Sequence, residues 1–502
     1  MKLIILFLLL HSSWLFANIR LPAIISSNMV IQQNTQVPIW GWADAGEKIC
    51  IETSWLQEEV AVTANAEGEW LIKLSSPEAG GPYKIKLTGN NSIVLNNILS
   101  GEVWFASGQS NMAMAVEKCS NAETEIATAT YPKIRLFHVT RTWAASPQQD
   151  CNGYWTETTP ETIKKFSGVA YFFGRKLYNE LNVPIGIISA SKGGSPIESW
   201  MAEEVLKTDP DFSPVFEMWE KWEAEYLEAN KKYQKELAVW QKQKDANQGL
   251  AIPEKPARPI AVHQIARPHK RPAHNYNGMV APITPYAIKG VIWYQGESNT
   301  NRPIQYRKLF KTMIKSWRKT WAEGEFPFYF VQIAPYRYEE GLDKPPYLRE
   351  AQMMALSLPN TGMVVTSDIG NVNDIHPKNK LDVGERLALW ALAKTYSYNN
   401  LVYAGPFYKS MKIEENKIRL SFDHTGSGLL CKGDSLTDFE IAGTDQKFTK
   451  ATAHIEGSTV VVSNDNIKHP IAVRFGWSII STPDFYNKEG LPAAPFRTDK
   501  WE

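Results

Sequence analysis

The feature that most constrains the fold is the alternation of short apolar strands with helical stretches through residues 100–400. Five strand-like runs occur there: Val103–Ala106, Ile185–Ile188, Val291–Tyr294, Phe328–Val331 and Met363–Val365. Runs this short and apolar are typical of strands buried on both faces, and helical connections between them favour parallel pairing. The sequence therefore predicts an α/β fold, a parallel sheet with helices on both faces.

Both ends of the chain show a different pattern. Near the N-terminus, β-forming runs such as Val37–Trp42 and Trp70–Leu74 are separated by Gly, Asn, Asp and Pro. Near the C-terminus, further candidate strands are Lys417–Phe422, Thr459–Ser463 and Ile471–Phe475. The sequence therefore predicts three units: a small all-β domain at 18–99, the α/β domain at 100–400 and a second all-β domain at 401–502.

A charged helical insertion interrupts the α/β region at about 203–248. Aromatic residues recur within it every seven positions, at Trp219, Tyr226, Tyr233 and Trp240. This spacing places them on one helix face, and such a stripe is usually a packing face. The Pro- and Arg-rich segment 251–274 that follows lacks the pattern of a helix or a central strand, so we expect a long loop bordering the site.

Charge and cysteine spacing exclude two classes of function. The formal net charge of the 502 residues is +1, which gives no basic field to hold nucleic acid, and no such partner is expected. The cysteines, at 50, 119, 151 and 431, are too widely spaced for a zinc site, so no metal is expected. Cys119 and Cys151 are a candidate disulfide in an exported chain, and unpaired buried thiols are the alternative.

The first residues have the pattern of a secretory signal. Met1-Lys2 precedes the apolar run Leu3–Leu10, and a small residue follows at Ala17. Residues 1–17 are therefore predicted to be a signal peptide and the mature protein to be secreted or periplasmic, with tethering to the surface as the alternative. Elsewhere the sequence has no apolar run near the roughly 18 residues of a membrane span.

A serine follows the first apolar strand at the turn into a helix. The segment Gly108-Gln109-Ser110-Asn111-Met112 comes directly after Val103–Ala106 and precedes a helix-forming run. Such a turn lies at the carboxyl edge of the sheet, where open α/β folds bind ligands. Ser110 is therefore a candidate nucleophile, and the alternative is that it only caps the helix.

A histidine with a nearby carboxylate comes near the end of the α/β region, in Asp374-Ile375-His376-Pro377. In an irregular loop the carboxylate is able to hold one imidazole nitrogen while the other faces the serine. The serine needs such a base because its hydroxyl is too weak an acid to ionise alone. The alternative is that Asp374 caps a helix at Lys378–Trp390.

Two further segments follow buried strands and supply hydrogen-bond donors. Ser191-Lys192-Gly193-Gly194-Ser195 brings adjacent glycines, and Gln295-Gly296-Glu297-Ser298-Asn299 brings a side-chain amide. Acyl-transfer enzymes need several such donors for the oxyanion, because losing one costs about 100-fold or more in turnover. Ordinary turns are the alternative, since Gly, Ser and Asn dominate turns.

Together these segments resemble the SGNH hydrolases, and among them the sialate O-acetylesterase branch. Members of this branch carry four sequence blocks: Gly-Gln-Ser-Asn-Met, Gly-Gly-Ser/Thr-Pro-Ile-Glu, Gln-Gly-Glu-Ser-Asn and Asp-Ile-His-Pro. All four occur here in that order. The resemblance as a whole spans about Leu21 to the C-terminus. Tyr276-Asn277-Gly278-Met279 is similar to another family segment. The resemblance implies a flavodoxin-like parallel sheet, hydrolysis of acetyl esters on sugar hydroxyls through an acetyl-enzyme, and no cofactor.

Carried over residue by residue, the resemblance implies Ser110 as nucleophile, His376 as base and then acid, and Asp374 as the orienting carboxylate. Most SGNH hydrolases place the acid three residues before the histidine, where this chain has Asn373. Two other carboxylates are therefore alternatives for this role: Asp368 and Glu297.

The resemblance also implies an oxyanion hole from the backbone N–H groups of Ser110 and Gly194 and the amide of Asn299. Polar side chains of the same segments are expected to bind substrate: Gln109, Asn111, Gln295, Glu297 and Asn277.

The expected partner is an acetylated sugar or glycan, and the sequence does not indicate an oligomeric state. One alternative is an esterase for acetylated plant polysaccharide such as xylan or xyloglucan. A second is a carbohydrate-binding protein that has kept an esterase scaffold without its chemistry, although that role does not need the intact catalytic residues. Basic residues that would attract a sialate carboxylate are Arg267, His269, Lys270 and Arg271.

Overall fold

A computed structural model describes residues 18–246, 253–338 and 344–501. The predicted signal peptide, residues 1–17, lies outside them. None of the helices in the described ranges has the length and apolar content needed to cross a membrane.

Seven strands form the N-terminal region, where apolar and polar residues alternate between turns. They are β1 (Val30–Gln32), β2 (Gln36–Trp42), β3 (Lys48–Thr53), β4 (Val60–Thr63), β5 (Glu69–Ser75), β6 (Gly80–Thr88) and β7 (Ser92–Gly108). β2 and β5 form an antiparallel ribbon. β3 pairs antiparallel with β4 and β6, and β6 pairs antiparallel with the first half of β7. The two strands predicted here at β2 and β5 are confirmed.

The second half of β7 is the centre of the α/β sheet. The other strands are β8 (Tyr131–His138), β9 (Trp155–Thr158), β10 (Ile185–Ser191), β11 (Gly290–Tyr294), β12 (Phe328–Val331) and β13 (Thr361–Val364). The order is β13-β12-β11-β7-β10-β8-β9, and the neighbours are parallel except for β8 and β9. The predicted parallel sheet and its five strands are therefore confirmed, with one antiparallel edge.

β7 belongs to both sheets. Its first residues alternate between exposed and buried side chains, whereas every residue from Ile98 to Gly108 is buried. The strand therefore crosses the predicted domain boundary at 99/100 without interruption. That boundary stays a prediction.

Ten α-helices occur in the described ranges. They are α1 (Ser110–Ala113), α2 (Ala122–Ala127), α3 (Pro160–Ile163), α4 (Gly168–Leu181), α5 (Glu203–Lys207), α6 (Ser213–Ala246), α7 (Ile260–Ile265), α8 (Pro303–Trp321), α9 (Pro345–Met353) and α10 (Leu381–Lys394). Shorter 3-10 turns include Ile197–Trp200, Pro268–Lys270 and Glu297–Asn299.

Adjacent residues of β7 show that helices cover both faces of the sheet. The ring of Trp104 packs against Phe173 of α4, with ring centroids 5.0 Å apart. Phe105 packs against Trp317 of α8 at 5.5 Å. Successive side chains of a strand point to opposite faces, so α4 and α8 lie on opposite sides, as predicted.

The charged insertion is mainly the helix α6, of 34 residues. Trp219 and Tyr233 are buried, and the Trp240 indole N–H donates to the Pro253 carbonyl at 2.7 Å. The aromatic stripe is therefore a packing face, as expected. The expectation of a helix-free loop after it was wrong, because α7 forms directly after Pro259, a position where a missing backbone N–H costs nothing.

The C-terminal region is all β, as predicted. Its strands are β14 (Phe407–Glu414), β15 (Lys417–Asp423), β16 (Leu429–Cys431), β17 (Phe439–Gly443), β18 (Phe448–Lys450), β19 (Thr452–Glu456), β20 (Thr459–Ser463), β21 (Pro470–Phe475), β22 (Phe485–Asn487) and β23 (Phe496–Arg497). They enclose an apolar core of their own. Arg349 of α9 ties this region to the α/β unit by donating to the carbonyls of Ser478 and Ile479.

All four cysteines lie in the described ranges and are free thiols. Burial raises the pKa of the Cys119 and Cys151 thiols to about 12. The structure therefore contains unpaired buried thiols at these two positions, the alternative left open by the sequence.

Candidate active site

Ser110 lies at the carboxyl edge of the sheet, where β7 ends and α1 begins. Gly108 has φ of +140°, and a Cβ at this position would come within 2.2 Å of the Tyr294 carbonyl oxygen on the neighbouring strand β11, so the backbone here requires glycine. The N-cap of α1 is Gln109, so the interpretation of Ser110 as the cap was wrong. Ser110 lines a cleft of about 1160 Å³.

His376 and Asp374 line the same cleft. The Nδ1 atom of His376 is 3.8 Å from Oδ1 of Asp374, and the two side chains are 41% and 47% exposed. The same carboxylate oxygen accepts the backbone N–H of His376 at 2.9 Å. Since α10 begins only at Leu381, the alternative role of Asp374 as its cap was wrong.

The cleft brings the three predicted catalytic side chains together without a complete hydrogen-bonded chain. The Ser110 hydroxyl has no hydrogen-bond partner among the described residues, so the contact between Ser110 and His376 is not formed here. Catalytic hydrogen bonds often tighten only when substrate binds.

The environment of His376 keeps its imidazole neutral. Burial lowers the pKa of His376 below its usual value of about 6.5, and the positive charges of Lys380 and Lys118 add to this effect, while Asp374 opposes it. Neutral imidazole is the form that accepts a proton.

Neither alternative carboxylate contacts His376. Asp368 forms a two-point ion pair with Arg386, at 2.8 and 2.7 Å. Glu297 is buried and accepts the Asn111 amide at 2.5 Å. Of the three carboxylates that the sequence offered, Asp374 is the one that lines the cleft with His376.

Gly193, the first of the two adjacent glycines, lies against the nucleophile. A Cβ on Gly193 would be 3.3 Å from the Ser110 Cβ, so a side chain at 193 would press on the serine. Gly194 follows with φ of +71°, the left-handed region that favours glycine. Sequence reasoning named both adjacent glycines and gave only Gly194 a role in the oxyanion hole.

Asn299 is fully buried close to these glycines. Its Oδ1 accepts the backbone N–H of Ile197 at 2.9 Å and the Gln295 amide at 2.7 Å. Its Nδ2 donates to Glu198 at 2.9 Å, and a side-chain amide has a second hydrogen on the same nitrogen.

Five side chains expected to bind substrate are buried: Gln109, Asn111, Gln295, Glu297 and Asn277. The side-chain Oε1 of Gln109 accepts hydrogen bonds from the backbone N–H groups of Gly296 and Ser298 at 3.4 and 3.3 Å. Gln295 accepts the Tyr306 hydroxyl at 3.0 Å, and Asn277 donates to the Ala144 carbonyl at 3.1 Å. The polar atoms of these side chains thus hold neighbouring segments together.

Asn111 joins the helix of the nucleophile to the loop of the base. Besides Glu297, its Nδ2 contacts the Ile375 carbonyl at 3.0 Å, and its Oδ1 accepts from Lys380 Nζ at 2.7 Å. Burial lowers the pKa of Lys380 to about 8 and raises the pKa of Glu297 above its usual range. Sequence reasoning missed Lys380, because nothing in a local pattern marks a lysine as buried.

The cleft is lined mostly by positive charge. Its cationic side chains are Lys118, Arg141, Lys165, Lys192 and Lys378, and its carboxylates are Glu117 and Asp374. Glu117 is neutralised by an ion pair with Lys165 at 2.6 Å. A field of this sign attracts an anionic ligand.

The basic residues that sequence analysis connected with a sialate carboxylate have separate environments. Arg271 pairs with Glu223 at 2.5 Å. Lys270 lines a cavity of about 150 Å³ next to Gly194, below the aromatic face of α6. The ring of His269 lies 5.9 Å from that of Trp143.

A serine and a histidine that line one cleft at the carboxyl edge of a parallel sheet are the two side chains that serine hydrolases use. Residues 100–247 and 259–393 match the family described as carbohydrate esterase, sialic acid-specific acetylesterase. The chain therefore belongs to this family, and its activity is that of a carbohydrate O-acetylesterase acting on an acetylated sugar.

Individual relatives agree with this assignment. The sialate O-acetylesterases of Rattus norvegicus and Homo sapiens are 29% and 27% identical to the chain, over 80% and 95% of its length and 79% and 92% of theirs. The crystal structure of a carbohydrate acetylesterase from Xanthomonas citri is 33% identical, with a TM-score of 0.81, and the match covers 96% of this chain and 100% of that one. The predicted family and α/β fold are confirmed.

Proposed function

We propose that Ser110 is the nucleophile of this esterase, His376 its base and Asp374 the carboxylate that orients the base. The observation that carries the proposal is that all three line one cleft at the carboxyl edge of the sheet. Nδ1 of His376 lies on the side of Asp374, which leaves Nε2 for the serine hydroxyl.

The reaction proceeds in two halves through an acetyl-enzyme. The Ser110 oxygen attacks the acetyl carbonyl carbon while His376 takes the hydroxyl proton, and the tetrahedral intermediate collapses when His376 gives that proton to the departing sugar oxygen. Water then attacks the acetyl-serine, its proton passes to His376 and on to Ser110, and acetate leaves.

The negative oxygen of each tetrahedral intermediate is stabilised by the backbone N–H groups of Ser110 and Gly194 and by the remaining N–H of Asn299. This role is supported by the contact between Gly193 and Ser110 and by the hydrogen bonds that fix Asn299 from three sides. Donors held in place before the reaction need no reorganisation when charge develops.

The buried polar side chains of the same segments position the catalytic groups. Gln109 holds the segment that carries Asn299, and Asn111 holds the loop that carries His376. A role in positioning agrees with their burial and with these contacts.

The parent sugar carries a carboxylate, as sialic acid does. The proposal is supported by the cationic lining of the cleft and by the relatives named sialate O-acetylesterases. Neutral acetylated plant polysaccharide is the second candidate. Acetate release from O-acetylated sialic acid and from acetylated xylan, measured side by side, distinguishes them, and faster release from xylan would refute the acidic sugar.

Export of the protein is supported by the charged, apolar and small-residue order of residues 1–17. Mass spectrometry of the protein from the periplasm and medium of an expressing host tests it. A mature chain that begins near residue 18 is the expected result, and full-length protein retained in the cytoplasm would contradict export.

A further inference from the structure

A second groove, of about 430 Å³, lies between the β2–β5 ribbon and two loops of the α/β unit. In the register of the ribbon, Trp40 pairs with Leu71 and Trp42 pairs with Glu69. Directly paired residues of antiparallel strands share a face, as do residues two apart on one strand. These four side chains therefore form one wall of the groove.

This wall combines exposed apolar and aromatic surface with a nearby carboxylate. Leu71 is 47% exposed, so its apolar side chain is open to a ligand. Trp42 is partly exposed, and the Arg20 guanidinium lies over its ring, 4.7 Å from the ring centroid. Indole rings offer rigid apolar area to the C–H faces of sugars, and nearby amides offer hydrogen bonds to hydroxyls.

Amide side chains form the opposite wall. Gln148 and Gln149 line the groove and are exposed. Gln149 donates to Glu69 at 2.7 Å, so this carboxylate already has a hydrogen-bond partner, and the described residues that line the groove include no lysine or arginine. The described lining of this groove thus offers a ligand no basic side chain, in contrast to the catalytic cleft, and a neutral sugar fits it better than an anionic one.

One segment of chain connects the groove to the catalytic cleft. Arg141 lines the cleft, and Gln148, seven residues later, lines the groove. Seven residues span at most about 25 Å even when fully extended. An oligosaccharide of several sugars reaches from one site to the other.

We propose that the groove formed by Trp40, Trp42, Leu71 and Gln148 binds the neutral part of a glycan whose acetylated sugar occupies the catalytic cleft. The inference rests on the carbohydrate esterase activity of the family and is independent of the assignment of Ser110. Affinity for the glycan then comes partly from sugars distant from the ester.

The direct test is calorimetric titration of the whole chain with two neutral probes, xylohexaose and lacto-N-tetraose, which represent plant and animal glycans. Leu71→Arg places a long charged side chain in the groove. Val94→Arg is the matched control, because Val94 is also a surface residue of the N-terminal strands, 49% exposed, but lies outside the groove.

We expect wild type and Val94→Arg to bind at least one probe with equal affinity and Leu71→Arg to bind it at least ten-fold more weakly. Trp42→Ala should show the same loss, and a thermal melt shows whether that variant is folded. Binding of neither probe by wild type, or equal binding by Leu71→Arg and Val94→Arg, would overturn the proposal.

Turnover measurements on a small and a large ester distinguish the role of the groove from that of the catalytic residues. Leu71→Arg should hydrolyse 4-nitrophenyl acetate as wild type does, because that ester does not reach the groove, while its KM for an acetylated oligosaccharide rises about ten-fold. An unchanged KM for the oligosaccharide would count against the groove. Absence of turnover by wild type on every ester would refute the catalytic proposal, and the titrations would still decide on the groove.

Discussion

Replacing Asp374 by Asn removes the negative charge beside His376 and keeps the shape of the side chain. The remaining Oδ1 is still able to accept the backbone N–H of His376, a bond of 2.9 Å. Asp374→Asn therefore isolates the electrostatic contribution of the carboxylate. Asp374→Ala removes the charge and this hydrogen bond together.

The expected loss in kcat/KM follows from the distance between His376 and Asp374 and from the exposure of their side chains. Two unit charges about 4 Å apart interact with about 1 kcal/mol in water and about 4 kcal/mol at the effective dielectric near a protein surface. The side chains of His376 and Asp374 are 41% and 47% exposed at 3.8 Å, and solvent screening favours the lower value. We expect a loss of about 1–2 kcal/mol, which is about 5- to 30-fold in kcat/KM.

The assay is acetate release over a range of pH. Because Asp374 raises the pKa of His376, Asp374→Asn should also move the acid limb of the kcat/KM profile to lower pH. Asp374→Ala should lose a further factor of about 2 to 12, from a hydrogen bond of about 0.5–1.5 kcal/mol. A loss near 10⁴-fold in Asp374→Asn, as for a buried triad carboxylate, would refute the claim that solvent screens the interaction between Asp374 and His376. No loss would refute the orienting role of Asp374.

Three further outcomes test the rest of the site. Lys380→Met leaves the Asn111 carbonyl unpaired and should destabilise the protein by about 1–3 kcal/mol in urea unfolding and lower turnover; unchanged stability and rate would contradict the positioning role. Gly193→Ala, with its Cβ 3.3 Å from that of Ser110, should lower kcat more than it raises KM, and an unaffected kcat would contradict the close approach. In wild type, kcat/KM should fall as pH drops through a value below 6.5, because His376 is protonated there; a fall that begins above pH 7 would contradict the lowered pKa.

The fold was readable from the sequence because the pattern of the strands is local. A strand buried on both faces must be apolar throughout, so runs such as Val291–Tyr294 were visible without knowledge of their partners. The dual membership of β7 was not visible, because the pairing of its two halves depends on segments far away in the chain. The helix α7 was missed because prolines suppressed the helical pattern around it.

The sequence predicted which segments form the site, but it did not predict the burial of the charged side chains there. Ser110 and His376 lie in segments that follow predicted strands, so their meeting at one sheet edge follows from topology. The burial of Glu297 and Lys380 depends on packing between segments far apart in sequence. Polar residues in a matched segment suggested contact with substrate, whereas the structure shows them bonded to protein.

The most direct measurement is acetate release by wild type and Ser110→Ala on O-acetylated sialic acid and on acetylated xylan. The proposed mechanism predicts release by wild type, faster from the sialic acid, and loss of nearly all turnover in the variant while it remains folded. Turnover retained by Ser110→Ala would contradict the assignment of the nucleophile, and no release by wild type from either substrate would contradict the proposed chemistry.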